Sequence, residues 1–304
     1  MKVCEMKKIQ IVEVGPRDGW QNLKQMLTFE EKISVIDALI NAGVDEMEVT
    51  SFVSPKAIPQ MADATQLAQY CLEHYPNVKF WALAPNFRGA ENAYKAGIRN
   101  ISYVISVSET HNKANINRTH DESFAELKRI LDTFPDLTVS VGMATALGCP
   151  FEGIPSDEKV LDFAQRLYDT GVRSMYLADT IGIADPAQVR RLCKACTERF
   201  PDCEWQAHIH DTRGMGLVNT LAAIESGIDK VQSTLGGLGG CPFAPGASGN
   251  TATEDLVYML QRMGYEVGID FDKLLAASKF QKSFVTGIYS GHQMNIEAKQ
   301  PPCC

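Results

Sequence analysis

Nowhere in the 304 residues is there a run approaching the ~18 consecutive apolar side chains that a membrane-crossing helix requires, so no spanning segment is expected. Long basic blocks are also missing. With 29 basic against 37 acidic side chains the formal net charge is −8, and nucleic acid is not expected as a partner. The first ten residues carry Glu5 and three lysines but no apolar core of the kind a secretory leader has. Cysteine is not scarce, but nine of them scattered over this length are too thin for a disulfide scaffold, which suits a reducing cytoplasm. Cys193 and Cys196 form a lone Cys-x-x-Cys in an apparent helix and read as an inert pair rather than a zinc site. Cys303 and Cys304, beside Pro301 and Pro302, read as a frayed tail.

What the chain does have is enough apolar material for a packed core. Hydrophobic residues make up 45% and charged residues 22%, which excludes disorder as the main state. Short β-rich runs at 9–14, 46–52, 78–84, 101–107, 137–143, 174–178, 204–210 and 230–234 alternate with amphipathic stretches. Those at 28–41, 123–134, 157–170, 186–200, 217–226 and 253–263 read as helices. Thr28-Phe29-Glu30-Glu31 is a capping box. Ala42-Gly43-Val44, Ala96-Gly97-Ile98, Thr170-Gly171-Val172 and Ser226-Gly227-Ile228 repeat one step, in which glycine takes a left-handed cap and the next strand begins at once. Eight β-then-α units predict an α/β fold closed into a (β/α)8 TIM barrel with a short helical C-terminal extension. The barrel is expected over 1–265. The extension and tail, 266–304, are expected to be part of the same domain, since no composition shift marks an inner boundary.

In such barrels the chemistry sits at the strand C-terminal ends, and the polar residues cluster there. The first strand ends in Gly15-Pro16-Arg17-Asp18-Gly19, a placed Arg-Asp pair or else a surface ion pair on a turn. The seventh ends in His208-Ile209-His210, whose imidazoles share one strand face. They read as a metal pair, against two hydrogen-bonded histidines at a rim. The eighth runs into Gly236-Gly237-Leu238-Gly239-Gly240-Cys241 and on to Asn250, a glycine-loaded loop that is either a linker or a lid carrying one thiol. Glu48 and Asp179 are further strand-end carboxylates, the latter equally readable as a helix N-cap turn. Asp18, His208, His210 and Asn250 together would offer two nitrogens and two oxygens, a set that suits Mg²⁺ or Mn²⁺ better than a structural zinc.

Several motifs in one order carry a resemblance. Val12-Glu13-Val14-Gly15-Pro16-Arg17-Asp18-Gly19, Ser51-Phe52-Val53-Ser54-Pro55-Lys56, Leu147-Gly148-Cys149-Pro150-Phe151-Glu152-Gly153, His208-Ile209-His210-Asp211-Thr212, the Cys241-Pro242 loop and Thr253-Glu254-Asp255-Leu256-Val257-Tyr258-Met259-Leu260 are similar to 3-hydroxy-3-methylglutaryl-CoA lyase, over roughly residues 8 to 280. The resemblance implies a metal-dependent retro-Claisen lyase that cleaves 3-hydroxy-3-methylglutaryl-CoA, or a related 3-hydroxyacyl-CoA, to acetyl-CoA plus acetoacetate or a related keto acid. It implies Asp18, His208, His210 and Asn250 as metal ligands, and Arg17 as the group that stabilises the thioester enolate. It implies Cys241 as the acid that protonates the acetyl-CoA carbanion, and Glu48 and Asp179 as polar supports. Asp18 is placed to take the alcohol proton, and Gln21, Asn22 and Lys24 to contact the acyl-CoA. A homodimer or larger homo-oligomer is expected.

The chain departs from that family at Ser140, Gly142 and Ala144, where Arg, Tyr and Ser are usual, and at Trp20 and Leu23. Ser140, Gly142 and Ala144 share one strand face, so an enlarged acyl cavity is expected, with Arg213 as the one candidate to replace the lost cation. The methylglutaryl thioester is then expected to be a usable but not the best substrate. Two rival readings differ in class. One is an acetyl-CoA-dependent condensing synthase, whose eighth-strand loop usually reads Gly-Glu-Arg-x-Gly-Asn. The other is a non-catalytic metal-binding barrel, which needs no thiol in a glycine loop.

Overall fold

In the computed structural model, which describes residues 7–239 and 249–297, eight parallel strands close in chain order into a barrel. They are β1 (Gln10–Glu13), β2 (Glu46–Ser51), β3 (Lys79–Leu83), β4 (Asn100–Ser106), β5 (Thr138–Ala144), β6 (Ser174–Asp179), β7 (Glu204–Ile209) and β8 (Lys230–Ser233). Closure is made by β1 on β8, with Gln10 opposite Lys230 and Glu13 opposite Ser233. Helices α1 (Phe29–Asn41), α2 (Ala64–His74), α3 (Phe87–Lys95), α4 (Glu109–Ile116), α5 (His120–Thr133), α6 (Asp157–Thr170), α7 (Pro186–Arg199), α8 (Gly216–Glu225) and α9 (Thr253–Arg262) follow the strands. The (β/α)8 barrel expected from the strand–helix alternation is therefore what forms. None of the described helices is long and apolar enough to cross a membrane.

Local sequence explains the joints. The Thr28 hydroxyl accepts from Glu31 N at 3.1 Å while Glu31 accepts from Thr28 N at 2.7 Å, the reciprocal cap expected there. Gly43, Gly97, Gly171 and Gly227 all have φ between +97° and +107°, so the repeated step does turn through the left-handed region. Helix α5 starts at His120 rather than 123, because Thr119 and Glu122 form a second capping box upstream of the first apolar residue. Helices α2, α3 and α4 escaped the periodicity reading; α4 in particular (Glu-Thr-His-Asn-Lys-Ala-Asn-Ile) has little amphipathy to detect. The extension is α10 (Phe271–Phe284), whose Leu274 and Ala277 join the hydrophobic cluster around the barrel. Gln281 ties it inward, accepting from Trp20 Nε1 at 3.1 Å and donating to Leu235 O at 3.2 Å.

The barrel interior is polar in its lower layers. At the floor Lys230 Nζ lies 2.5 Å from Glu46 Oε1, which also accepts from Trp81 Nε1 at 2.6 Å. Above them Gln206 Nε2 donates to Ser140 Oγ and Ser174 Oγ at 3.3 Å each, and Gln232 Nε2 donates to Gln206 Oε1 at 3.0 Å. A cavity of about 520 Å³ opens below this floor, beside Lys79, Glu204 and Lys230, at the end of the barrel away from the strand C-termini. The β2–β3 register slips between Glu48 and Thr50, a bulge at the point where β2 presents Glu48 to the interior.

Candidate active site

Immediately after β1 the chain makes one wide helical turn, Gly15–Gly19, opened by Pro16. Buried Glu13 holds that turn: its Oε1 accepts from Gly15 N at 2.8 Å and from Leu235 N at 2.9 Å, and its Oε2 accepts from Thr253 Oγ1 at 2.6 Å. The turn thereby throws Arg17 and Asp18 over the barrel mouth. Arg17 is 7% exposed, so the pair is not a surface ion pair. Its Nε donates to Glu48 Oε2 and its Nη1 to Asp18 Oδ1 at 2.5 Å, which leaves Nη2 without a hydrogen bond to any described residue. Ser102 Oγ donates to the other Glu48 oxygen. Burial alone would lower the Arg17 pKa, but Glu48 and Asp18 outweigh it and raise it, so the guanidinium is a fixed charge. At Glu48 burial dominates and raises the pKa, against the lowering by Arg17.

From β7, His208 and His210 do point the same way, with their Nε2 atoms 3.1 Å apart. His208 Nδ1 sits 2.9 Å from the Gln232 carbonyl oxygen. Since that oxygen only accepts, Nδ1 carries the proton and Nε2 presents its lone pair to the mouth. Burial, then His210, push the His208 pKa down to about 4, which keeps the ring neutral. Asp18 Oδ2 is 3.9 Å from His208 Nε2, and one ligand atom from each of Asp18, His208 and His210 falls within 4.8 Å of the others. Burial would raise the Asp18 pKa, but Arg17, His208 and His210 overcome it and hold the carboxyl at about 2.

Asn250 completes the group. It makes an isolated antiparallel bridge to His210, just beyond β7, and donates from Nδ2 to Asp18 Oδ2 at 2.7 Å. Its Oδ1 is buried with no hydrogen-bond partner. An orphaned carbonyl beside a low-pKa carboxylate and the bare Nε2 of His208, itself within hydrogen-bond distance of His210 Nε2, gathers acceptors that a cation would satisfy. The donor set fits a divalent cation bound by mixed oxygen and nitrogen ligands, with no thiolate among the described residues at the cluster.

The mouth above the cluster is a cavity of about 390 Å³. Arg17, Asp18, Gln21, His208 and His210 line its polar side, and Val53, Ile58, Leu83, Val104 and Ala144 its apolar side. Gln21 belongs here, donating from Nε2 to Asp18 Oδ1 at 2.9 Å. Asn22 and Lys24 do not. They line an adjoining cavity of about 750 Å³ between the turn after β1 and residues 286–288. Asp179 is spent on its own turn, accepting from Ile183 N at 3.0 Å and Ala184 N at 3.1 Å; it is not a helix N-cap, since Asp185 takes that place on α7. Cys241 lies outside the described residues, as do Cys303 and Cys304. The described ends of its loop are informative: an added Cβ on Gly249 would meet Gly239 O at 2.5 Å, and one on Gly239 would meet Asn250 Nδ2 at 2.8 Å. The loop therefore leaves and returns beside the cluster. Cys193 and Cys196 are buried on α7, where burial pushes the Cys193 thiol up to about 12, in keeping with an inert pair.

Sequence reasoning missed two interior residues. Gln232 orients His208, and only the inward register of β8 would have shown it. Tyr176 on β6 lies over Gly142, so the three departures on β5 do not open one common gap. Ser140 is engaged in the floor network with Ser174 and Gln206, Gly142 is covered by the Tyr176 ring, and Ala144 alone lines the mouth. Arg213 is not a replacement cation: its Nη1 donates to Ile181 O at 2.9 Å and Gly182 O at 3.0 Å, outside the cavity.

Known proteins resemble this chain over most of its length. The family model described as HMGL-like matches residues 8–280. The chain is 43% identical over 276 residues to hydroxymethylglutaryl-CoA lyase YngG of Bacillus subtilis, covering 90% of this chain and 92% of that one. It is 42% identical over 284 residues to (R)-citramalyl-CoA lyase of Chloroflexus aurantiacus, covering 90% of each. Among solved structures, an HMG-CoA lyase from Acinetobacter baumannii in complex with coenzyme A and 3-methylmalate superposes with a TM-score of 0.90 at 36% identity, over 97% of this chain and 98% of that one.

Proposed function

Because the chain belongs to the HMGL-like family, we propose that it is a carbon–carbon lyase acting on a 3-hydroxyacyl thioester of coenzyme A. The bond between C2 and C3 breaks, releasing acetyl-CoA and a keto acid. The relatives are named for hydroxymethylglutaryl-CoA and (R)-citramalyl-CoA, and a C3 bearing a hydroxyl is the chemistry we carry over. The observation that supports the reading best is the cluster of Asp18, His208 and His210, joined through Asp18 to Asn250, whose own Oδ1 is buried without a partner. Asp18, His208, His210 and Asn250 would hold Mg²⁺ or Mn²⁺. Bound there, such a cation acidifies a coordinated alcohol and fixes its orientation.

The protein's own groups divide the remaining work. Asp18 is ionised through the neutral range, and it lies beside the site where the alcohol sheds its proton. With its pKa held so low it is a weak acceptor, adequate only for an alcohol already acidified. Arg17, locked by Glu48 and Asp18, offers Nη2 to the thioester oxygen as enolate charge develops, with no reorganisation of the guanidinium. Gln232 keeps His208 in the tautomer that leaves Nε2 bare. Cys241, on the loop whose ends meet at Gly239 and Gly249, is the proton source for the acetyl carbanion. Free buried cysteines such as Cys71 and Cys149 suit a cytoplasmic location. A homo-oligomer is part of the reading, and light scattering tests it. The activity itself is tested by incubating candidate 3-hydroxyacyl-CoA thioesters with the protein and Mg²⁺, and measuring acetyl-CoA by mass. A condensing synthase would consume acetyl-CoA with a 2-oxo acid instead, and a non-catalytic barrel would do neither.

A further inference from the structure

Gly142 and Tyr176 face each other in the register of β5 and β6. A Cβ at position 142 would lie 2.2 Å from Tyr176 Cζ and 2.4 Å from its hydroxyl oxygen. Gly142 is not in the left-handed region, so its backbone has no need of glycine; the space above it does. The phenol thus occupies volume that any other residue at 142 would claim. It stands between the mouth cavity, where Arg17, Asp18 and His208 converge, and the small void below it lined by Ser102, Ser140 and Gln206. Its hydroxyl makes no hydrogen bond to a described residue, whereas the neighbouring interior groups Glu48, Ser102, Ser140, Gln206 and Gln232 are all engaged. A nearly buried hydroxyl without a partner, at the edge of a reaction cavity, is poised for a ligand oxygen.

We propose that Tyr176 determines acyl specificity: its ring is the floor that limits how large a C3 branch fits, and its hydroxyl donates to an oxygen of the acyl group. Gly142 is the positioning residue that admits the ring. This rests on the lyase reading. The test compares 3-hydroxy-3-methylglutaryl-CoA with its 3-propyl analogue, using wild type, Tyr176→Phe, Tyr176→Ala, Gly142→Ala and the Tyr176→Ala/Gly142→Ala double variant, with Mn²⁺ affinity measured for each. Tyr176→Phe, which keeps the ring and so the fold, is expected to lower kcat/KM for the methyl substrate about tenfold with Mn²⁺ affinity unchanged. Tyr176→Ala is expected to shift preference toward the propyl substrate by about fifteenfold, the worth of two buried methylenes. Gly142→Ala, which pushes the ring toward the mouth, is expected to shift preference the other way, against the propyl substrate, and to lose that effect when Tyr176 is already alanine. If wild type cleaves the methyl substrate while Tyr176→Phe stays within about twofold of it and Tyr176→Ala keeps its preference, the inference about Tyr176 fails and the lyase reading stands. If wild type releases no acetyl-CoA from either thioester, both fail.

Discussion

Replacing Gln232 by leucine removes the acceptor that orients His208 and isolates the effect of tautomer from that of ligand identity. Two hydrogen bonds are lost, His208 Nδ1 to Gln232 Oε1 at 2.9 Å and Gln232 Nε2 to Gln206 Oε1 at 3.0 Å. The change strands a buried ring N–H and deprives the Gln206 oxygen of its donor. Each such orphan costs about 1–3 kcal/mol, offset by roughly 1 kcal/mol from the added apolar burial, so a net loss of about 1–5 kcal/mol in stability is expected. With Nδ1 unsatisfied, the tautomer carrying the proton on Nε2 becomes competitive, and that form cannot ligate. Loss of such an outer partner lowers metal affinity by about 10–100-fold. Mn²⁺ titration by calorimetry on the folded variant measures it directly, and Gln232→Glu, which keeps an acceptor, is expected to bind Mn²⁺ at least as tightly as wild type. A Gln232→Leu protein that is folded and binds Mn²⁺ like wild type would refute the reasoning.

Cys241→Ala is expected to abolish most turnover while leaving Mn²⁺ affinity near wild type, since a proton donor is not a ligand; steady-state rates with metal titration decide. The Cys241 thiol is also expected to be alkylated faster than Cys71, which is fully buried with its thiol pushed up to about 12, and added substrate is expected to protect it. Arg17→Lys keeps the charge but not the fork held by Glu48 and Asp18, and is expected to lower kcat by about a hundredfold with little change in KM. Asp179→Ala is expected to cost about 1 kcal/mol in chemical denaturation, as for a lost cap, because its carboxylate serves the amides of Ile183 and Ala184. Burial raises the Glu13 pKa from 4.5 to about 7. The stability linked to its neutral form is therefore complete below 4.5 and lost as pH rises through 7, so Glu13→Gln is expected to flatten the decline of Tm between those values.

Much of the architecture was legible because strand and helix alternate in apolar pattern, and because the Gly43, Gly97, Gly171 and Gly227 steps punctuate it. The candidate metal-ligating cluster was legible for a similar reason. His208 and His210 fall on one face by strand geometry alone, and Arg17 and Asp18 follow a strand end. What the sequence did not show depends on contacts between strands distant along the chain. Gln232 meets His208 across the β7–β8 pair, and Tyr176 meets Gly142 across β5–β6, so neither has a local signature. The loss of bulk at Gly142 read as an opening because the ring that fills it comes from a neighbouring strand. Asn22 and Lys24 stand close to Gln21 in sequence yet face a different cavity, one that Gly19 and Leu238 also line.

In the proposed reaction a cation held by Asp18, His208, His210 and Asn250 would enable carbon–carbon cleavage of an acyl-CoA. Metal-stripped protein incubated with 3-hydroxy-3-methylglutaryl-CoA, with and without added Mg²⁺, tests this in one measurement of products by mass. Acetyl-CoA and acetoacetate should appear in equal amounts with Mg²⁺ and be absent without it. Free coenzyme A in place of acetyl-CoA, or cleavage at the same rate in both samples, would contradict it.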